Sequence, residues 1–218
     1  RVTKNIVHNN RDRGMFLEMR EGPALVDNNI ISSTKIAPLG EGKNYYGDGI
    51  YAHDAGGFTI TNNFIYDNKG FGISMRTLPG RAIPTENIKI FNNFIVYNEE
   101  GTLNIPYDGT YAGNNCSENN VFAGKNSFVF NTWGEKPEEF EDQLENIKDA
   151  VNNRISTIEL IEWSGFGSNG SEGVILNFGQ WQKVKNWDTE SKMNVISNVE
   201  IDENMVLKFK LDNTPEQL

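Results

Sequence analysis

Several residue types able to hold or move a proton fall at one step of a recurring pattern in this chain. Counting four residues on from the glycine that opens each of a series of short apolar runs gives Glu18, His53, Arg76 and Ile105. Asn131 takes the analogous place in the next run. A carboxylate gives or accepts a proton, an imidazole does so near neutrality, and a guanidinium holds an oxygen or an anion. Glu18 is the expected proton donor and acceptor, because it ends an apolar run and stands beside the turn signal Glu21-Gly22-Pro23. His53 is placed to orient or tune Glu18, and Arg76 to bind a hydroxyl or to hold Glu18 ionised. Asp54, Arg20 and Glu21 are expected at the mouth of the same site, bracketed by Arg13. Tyr51, with Tyr45, Tyr46 and Tyr107, supplies aromatic faces on which a sugar ring could stack. The plainer alternative is a polar outer face with no chemistry.

What would bring such distant residues together is a stack of coils. An apolar stretch, an Asn or Asn-Asn, then a β-branched or aromatic run recurs at Asn5, Asn29, Asn63, Asn93 and Asn120, at spacings of 24, 34, 30 and 27 residues. Asn tolerates a left-handed backbone and bonds its own neighbours, so one Asn per sharp bend can stack into a ladder. Further strands open at Gly14, Gly49, Gly72, Gly101 and Ser127. Three short strands per coil, apolar inward and polar outward, predict an all-β right-handed parallel β-helix, a pectate-lyase-like solenoid. Adjacent coils then set in-phase side chains about 4.8 Å apart. Asp27 and Asp67, beside the Asn positions, read as turn caps.

The coils are expected over residues 1–133. Residues 134–218 read as a continuation with a helical insertion at about 135–153, where Phe140, Leu144, Ile147 and Val151 share one helical face. Strands follow at 155–161, 174–176 and 205–211, with a helical turn at 178–184. The opening residues read as a strand already under way, so earlier coils, or another chain, are expected to complete the solenoid.

Composition narrows the partners. The 218 residues carry a net charge of −10, which argues against a nucleic-acid backbone as ligand. The apolar runs are only a few residues long, as at Val174-Ile175-Leu176, so no membrane is expected. Cys116, the single cysteine, reads as a small buried filler.

The segment from Asn10 to Ile30, with Phe16-Leu17-Glu18, Gly22-Pro23 and Val26-Asp27-Asn28-Asn29 in order, resembles the parallel β-helix β-xylosidases of glycoside hydrolase family 120. That resemblance covers about the first 30 residues. It implies that Glu18 is the general acid/base of a retaining glycosidase acting on an oligosaccharide or polysaccharide, without a cofactor. It also implies a nucleophilic aspartate in a Trp-Leu-Asp-Trp-like strand one coil earlier, a motif this chain does not contain. Asp12 is the only upstream carboxylate and a poor substitute. A bacterial, secreted or periplasmic setting is the expectation.

Two other readings compete. A polyuronate lyase or epimerase would use Arg76 or Lys69 as base and calcium on carboxylates such as Asp48 and Asp54, although an acidic chain suits an acidic polymer poorly. A carbohydrate-binding solenoid of the adhesin or tail-spike type needs no coherent catalytic set.

Overall fold

The structure is a computed structural model. It describes residues 1–36, 47–76, 85–107, 115–124, 128–132, 147–151, 154–155, 159–165, 174–177, 192–193, 195–201 and 207–212. Each coil has three strands. The first coil holds β1 (Val2–Thr3), β2 (Ile6–His8) and β3 (Arg13–Arg20); the second β4 (Ala24–Asp27), β5 (Ile30–Ser32) and β6 (Asp48–Ala55). The third holds β7 (Phe58–Thr61), β8 (Phe64–Tyr66) and β9 (Phe71–Arg76); the fourth β10 (Lys89–Phe91), β11 (Phe94–Asn98) and β12 (Gly101–Tyr107). The fifth holds β13 (Asn115–Glu118), β14 (Val121–Gly124) and β15 (Phe128–Thr132), and the sixth β16 (Ile147–Val151), β17 (Arg154–Ile155) and β18 (Glu159–Gly165). First, second and third strands pair in parallel with their counterparts, building three sheets. The fold is a parallel β-helix.

The bends explain the sequence pattern. In each Asn pair the first member, or Lys4 in its place, has the left-handed backbone: φ is 58° at Lys4, 55° at Asn28, 54° at Asn62, 57° at Asn92 and 54° at Asn119. That frees the second Asn to turn inward. Asn63 Nδ2 donates to Asn93 Oδ1 at 3.0 Å and Asn29 Nδ2 to Asn63 Oδ1 at 2.9 Å, continuing to Asn5 and Asn120. A second ladder lies five residues on: Asn68 Nδ2 donates to Asn98 Oδ1 at 2.8 Å, and the Thr34 amide donates to Asn68 Oδ1 at 3.1 Å. Asp27 caps its turn by accepting from Asn28 and Asn62, which hold its carboxyl below the ordinary range, and Asp67 accepts from Ser33.

Between the ladders the core is stacked aliphatic side chains. Val26, Ile60 and Ile90 line the first sheet, Ile31, Ile65, Ile95 and Phe122 the second, and Ile50, Ile73 and Leu103 the third, all buried. Each contributes about 1.5–3 kcal/mol. Gly49 and Gly72 are required where the third strand enters: a Cβ on Gly72 would lie 2.2 Å from Ile95 Cγ2, and one on Gly49 2.6 Å from the Gly72 carbonyl oxygen.

Toward the C-terminus the expectations need correction. Ile147–Val151, expected to end a helix, is strand β16, because Asp149 and Ala150 pair in register with Cys116 and Ser117. Pairing with a preformed sheet edge overrides the helical spacing; residues 135–146 lie outside the described residues. The strand expected at 155–161 is divided between β17 and β18. β19 (Val174–Asn177) closes the third sheet antiparallel to β18, and β20 (Lys192–Met193) adds to the second sheet beside β17. β22 (Leu207–Asp212), expected as a strand, pairs antiparallel with β21 (Val195–Ile201), which the sequence reading missed. The turn expected at 178–184 lies outside the described residues. Cys116 is half-buried rather than in the core, since the inward position of β13 belongs to Ser117.

Candidate functional site

The third sheet brings the expected column together. β3 and β6 pair Glu18 with His53, and β6 and β9 pair His53 with Arg76. Ile105 does not continue it. Gly101 aligns with Phe71, not with Gly72, so counting from the glycine runs one residue short. The Asn104–Ser74 pairing carries Ile105 to the level of Met75, and Pro106, the partner of Asn131, follows at the level of Arg76.

Within the column, His53 Nδ1 lies 3.6 Å from Glu18 Oε1, and His53 Nε2 lies 3.4 Å from Asp54 Oδ2. Exposure falls along this line: the Glu18 side chain is 41% exposed, His53 12% and Asp54 0%. The imidazole thus stands between an open carboxylate and a sealed one. Asp54 reaches its position through a left-handed backbone, φ 48°, which breaks the alternation of β6 and lays its side chain against the histidine. Expected as a substrate contact, Asp54 is instead sealed behind His53. The same correction applies to Tyr51, which is buried beneath Phe16 and Arg13.

Phe16 takes the exposed aromatic place instead. It is 46% exposed, its ring lies 6.2 Å from that of His53 at 16°, and Arg13 lies 4.8 Å from its centroid. The signal was available, since Phe16 stands two residues before Glu18 and therefore on the same face of an extended strand. Arg20 pairs in register with Ala55, beyond the column. Glu21 is exposed at the following turn, on the wall of a separate cleft. Tyr45 and Tyr46 lie outside the described residues.

Behind the site, Asp48 pairs in register with Arg13 and is fully buried. It accepts the Phe71 amide at 2.8 Å, while desolvation pushes its carboxyl up to about 7 against the opposing pull of that bond and of Arg13. Arg13 also donates to the Asp12 carboxylate. Asp12 is thereby engaged in a structural pair.

Asp48 and Asp54 stand six residues apart on one strand, roughly 20 Å, and so do not share an ion. The described residues contain no group of three or more His, Cys, Asp or Glu placed to hold a metal. Lys69 sits at another corner, donating to Glu99 at 2.6 Å, and that carboxylate raises its ammonium above the ordinary range. Such a lysine holds its proton more firmly, so less of it is in the neutral form that a general base requires.

No curated protein and no solved structure matches the chain. One family model does, matching residues 1–135, which span the first five coils, the two asparagine ladders and the Glu18 column. The chain belongs to the family described as the right handed beta helix region.

Proposed function

We propose that this chain is the acid/base half of a retaining glycoside hydrolase acting on a xylo-configured oligosaccharide, with Glu18 as proton donor and acceptor. Proteins of the family include glycosidases, lyases and non-enzymes, and the fold suits enzymes and binders of carbohydrate alike. One observation carries the choice: the exposed Glu18 carboxylate is backed by His53 and sealed Asp54 and flanked by the open face of Phe16. A binding surface needs the aromatic face but no buried carboxylate behind a histidine.

In the first step a nucleophilic carboxylate bonds to the anomeric carbon as the glycosidic C–O bond breaks, and Glu18 gives its proton to the departing oxygen. In the second, water attacks the same carbon, the enzyme–sugar ester breaks, and Glu18 takes the water's proton. The nucleophile belongs on a coil stacked against β3, which ends its sheet. Strand spacing of about 4.8 Å suits the 5–5.5 Å carboxylate separation of retaining enzymes.

The test is turnover of aryl β-xylosides by the full-length protein. Glu18→Gln should lower it by about 10²–10⁴-fold. His53→Ala should lower it less and shift the pH profile, as expected of a group acting through Glu18. Unchanged turnover in Glu18→Gln would end this reading.

A further inference from the structure

We propose that the cleft at the corner between the third and first sheets is a second saccharide site, holding the part of a neutral oligosaccharide remote from Glu18. This rests on the glycosidase reading for the identity of the sugar, but on separate residues for the site.

The cleft, about 620 Å³, is built by the turns of three successive coils. One wall is Glu21, from the turn between β3 and β4. The opposite wall is Glu86 and Asn87, just before β10. Between them lies Gly56-Gly57, which has no side chain. The turns are locked in register by backbone bonds, Gly57 N–H to the Glu86 carbonyl at 3.0 Å and Ala24 N–H to the Gly57 carbonyl at 3.2 Å. A slot one coil wide therefore separates the two carboxylates. Gly57 keeps it open: its φ is +73°, and a Cβ there would lie 3.0 Å from the Gly22 carbonyl carbon and oxygen. On the adjoining face of the first sheet, register partners Thr59 and Lys89 add a hydroxyl and an ammonium.

The lining selects a ligand class. Two carboxylates accept hydroxyl hydrogens, while Lys89 and Asn87 donate to hydroxyl oxygens, a match for the alternating donors and acceptors of a neutral sugar. The same carboxylates oppose phosphate or uronate. Among the described residues the lining holds no aromatic ring, so recognition there rests on hydrogen bonds and is modest in affinity. Glu21 follows Glu18 by three residues, which limits their Cα separation to about 11 Å. An oligosaccharide can cover that distance and a monosaccharide cannot.

The experiment compares binding with turnover. Xylotetraose is titrated calorimetrically into full-length Glu18→Gln protein, with and without Glu86→Gln plus Lys89→Ala, and the cleft pair is assayed separately for aryl β-xyloside hydrolysis in the Glu18 background. The cleft changes should weaken xylotetraose roughly tenfold and leave aryl-xyloside turnover unchanged. Equal xylotetraose affinity in both proteins, no measurable xylotetraose binding to the unaltered cleft, or tighter binding of trigalacturonate than of xylotetraose overturns the site. If aryl xylosides are not turned over at all while the cleft changes still weaken xylotetraose, the glycosidase reading fails and the saccharide site stands.

Discussion

Inside the solenoid most columns repeat one kind of residue over several coils; on the outer face of the third sheet the columns mix aromatic, acidic, basic and neutral polar residues. Asn follows Asn from Asn5 to Asn120, and isoleucine follows isoleucine from Ile31 to Ile95. Outside, Phe16, Tyr51, Ser74 and Asn104 form one column, and Glu18, His53 and Arg76 the next. Repetition follows from stacking: an Asn side chain is satisfied by another Asn one coil away, and a β-branched side chain packs best on its like. The outer columns face that demand less uniformly: Asn104 donates to Ser74 at 3.0 Å, but Glu18, His53 and Arg76 differ at every coil. Their variety therefore cannot be explained by the solenoid, and the residues that break the repeat are where function is to be sought.

The sharpest way to test that division is to damage one rung. Asn63 donates to Asn93, to the Val26 carbonyl and to the Thr61 carbonyl, and accepts from the Asn29 amide and side chain. Asn63→Ala strips the Asn29 amide of its acceptor and the Val26 carbonyl of this donor, while Asn93 Oδ1 keeps the residue-63 amide and the Thr61 carbonyl keeps the Asn28 amide. The loss should therefore be on the order of 4 kcal/mol, at 1–3 kcal/mol for each lost partner. Denaturant unfolding of the variant would show it. A loss below about 1 kcal/mol would mean that water or neighbouring groups replace the rung, and that repetition is not a stability requirement.

A smaller effect is expected at Asp48, which belongs to neither set, being buried yet ionisable. Its carboxyl is raised from 3.8 to about 7 in the folded chain, so the folded state binds a proton that the unfolded state has released. Stability should therefore rise as pH falls from about 7 toward 4, and the cost of the ionised form is fully present above about 7. Three pH units correspond to on the order of 4 kcal/mol as an upper bound. Asp48→Asn keeps an acceptor for the Phe71 amide and should remove this slope. Thermal unfolding between pH 5 and pH 8 measures it, and an unchanged slope in the variant would assign the dependence to other groups.

How much of this was legible depended on whether a residue's role is set by its neighbours in sequence or by its neighbours in space. The ladder from Asn5 to Asn120 was readable because each rung carries its own local signal, an Asn before a β-branched run. The second ladder was missed because Thr34, Asn68 and Asn98 lie at a bend with little local signature beyond their distance of five from the first. The pairing of Glu18 with His53 and Arg76 was readable from glycine spacing until Gly101, where the strand opens one residue earlier relative to its partner. Asp54 and Tyr51 were recognised as members of the site but assigned to its surface, since burial on an outward face is decided by what lies across from it. Phe16 was missed although its spacing of two from Glu18 was readable, and the Gly57 slot was missed because its walls come from the turns of three different coils.

The finest test lies at Tyr97, a residue of the repeat that does not match its counterparts. It holds the left-handed backbone of the second bend, φ 53°, a place taken by Asn9, Ser33 and Asp67 in the coils before it. An aromatic residue adopts that conformation at greater cost than Asn, whose short polar side chain is at home there. Tyr97 is also 45% exposed, so little packing offsets the strain. Tyr97→Asn should therefore stabilise the chain by about 0.5–1 kcal/mol, read as a small rise in the unfolding midpoint. A loss of stability would place Tyr97 with the varied outer residues rather than with the bend, held there by a contact of its side chain. The boundary between repeating and varying columns would then run through the bend itself.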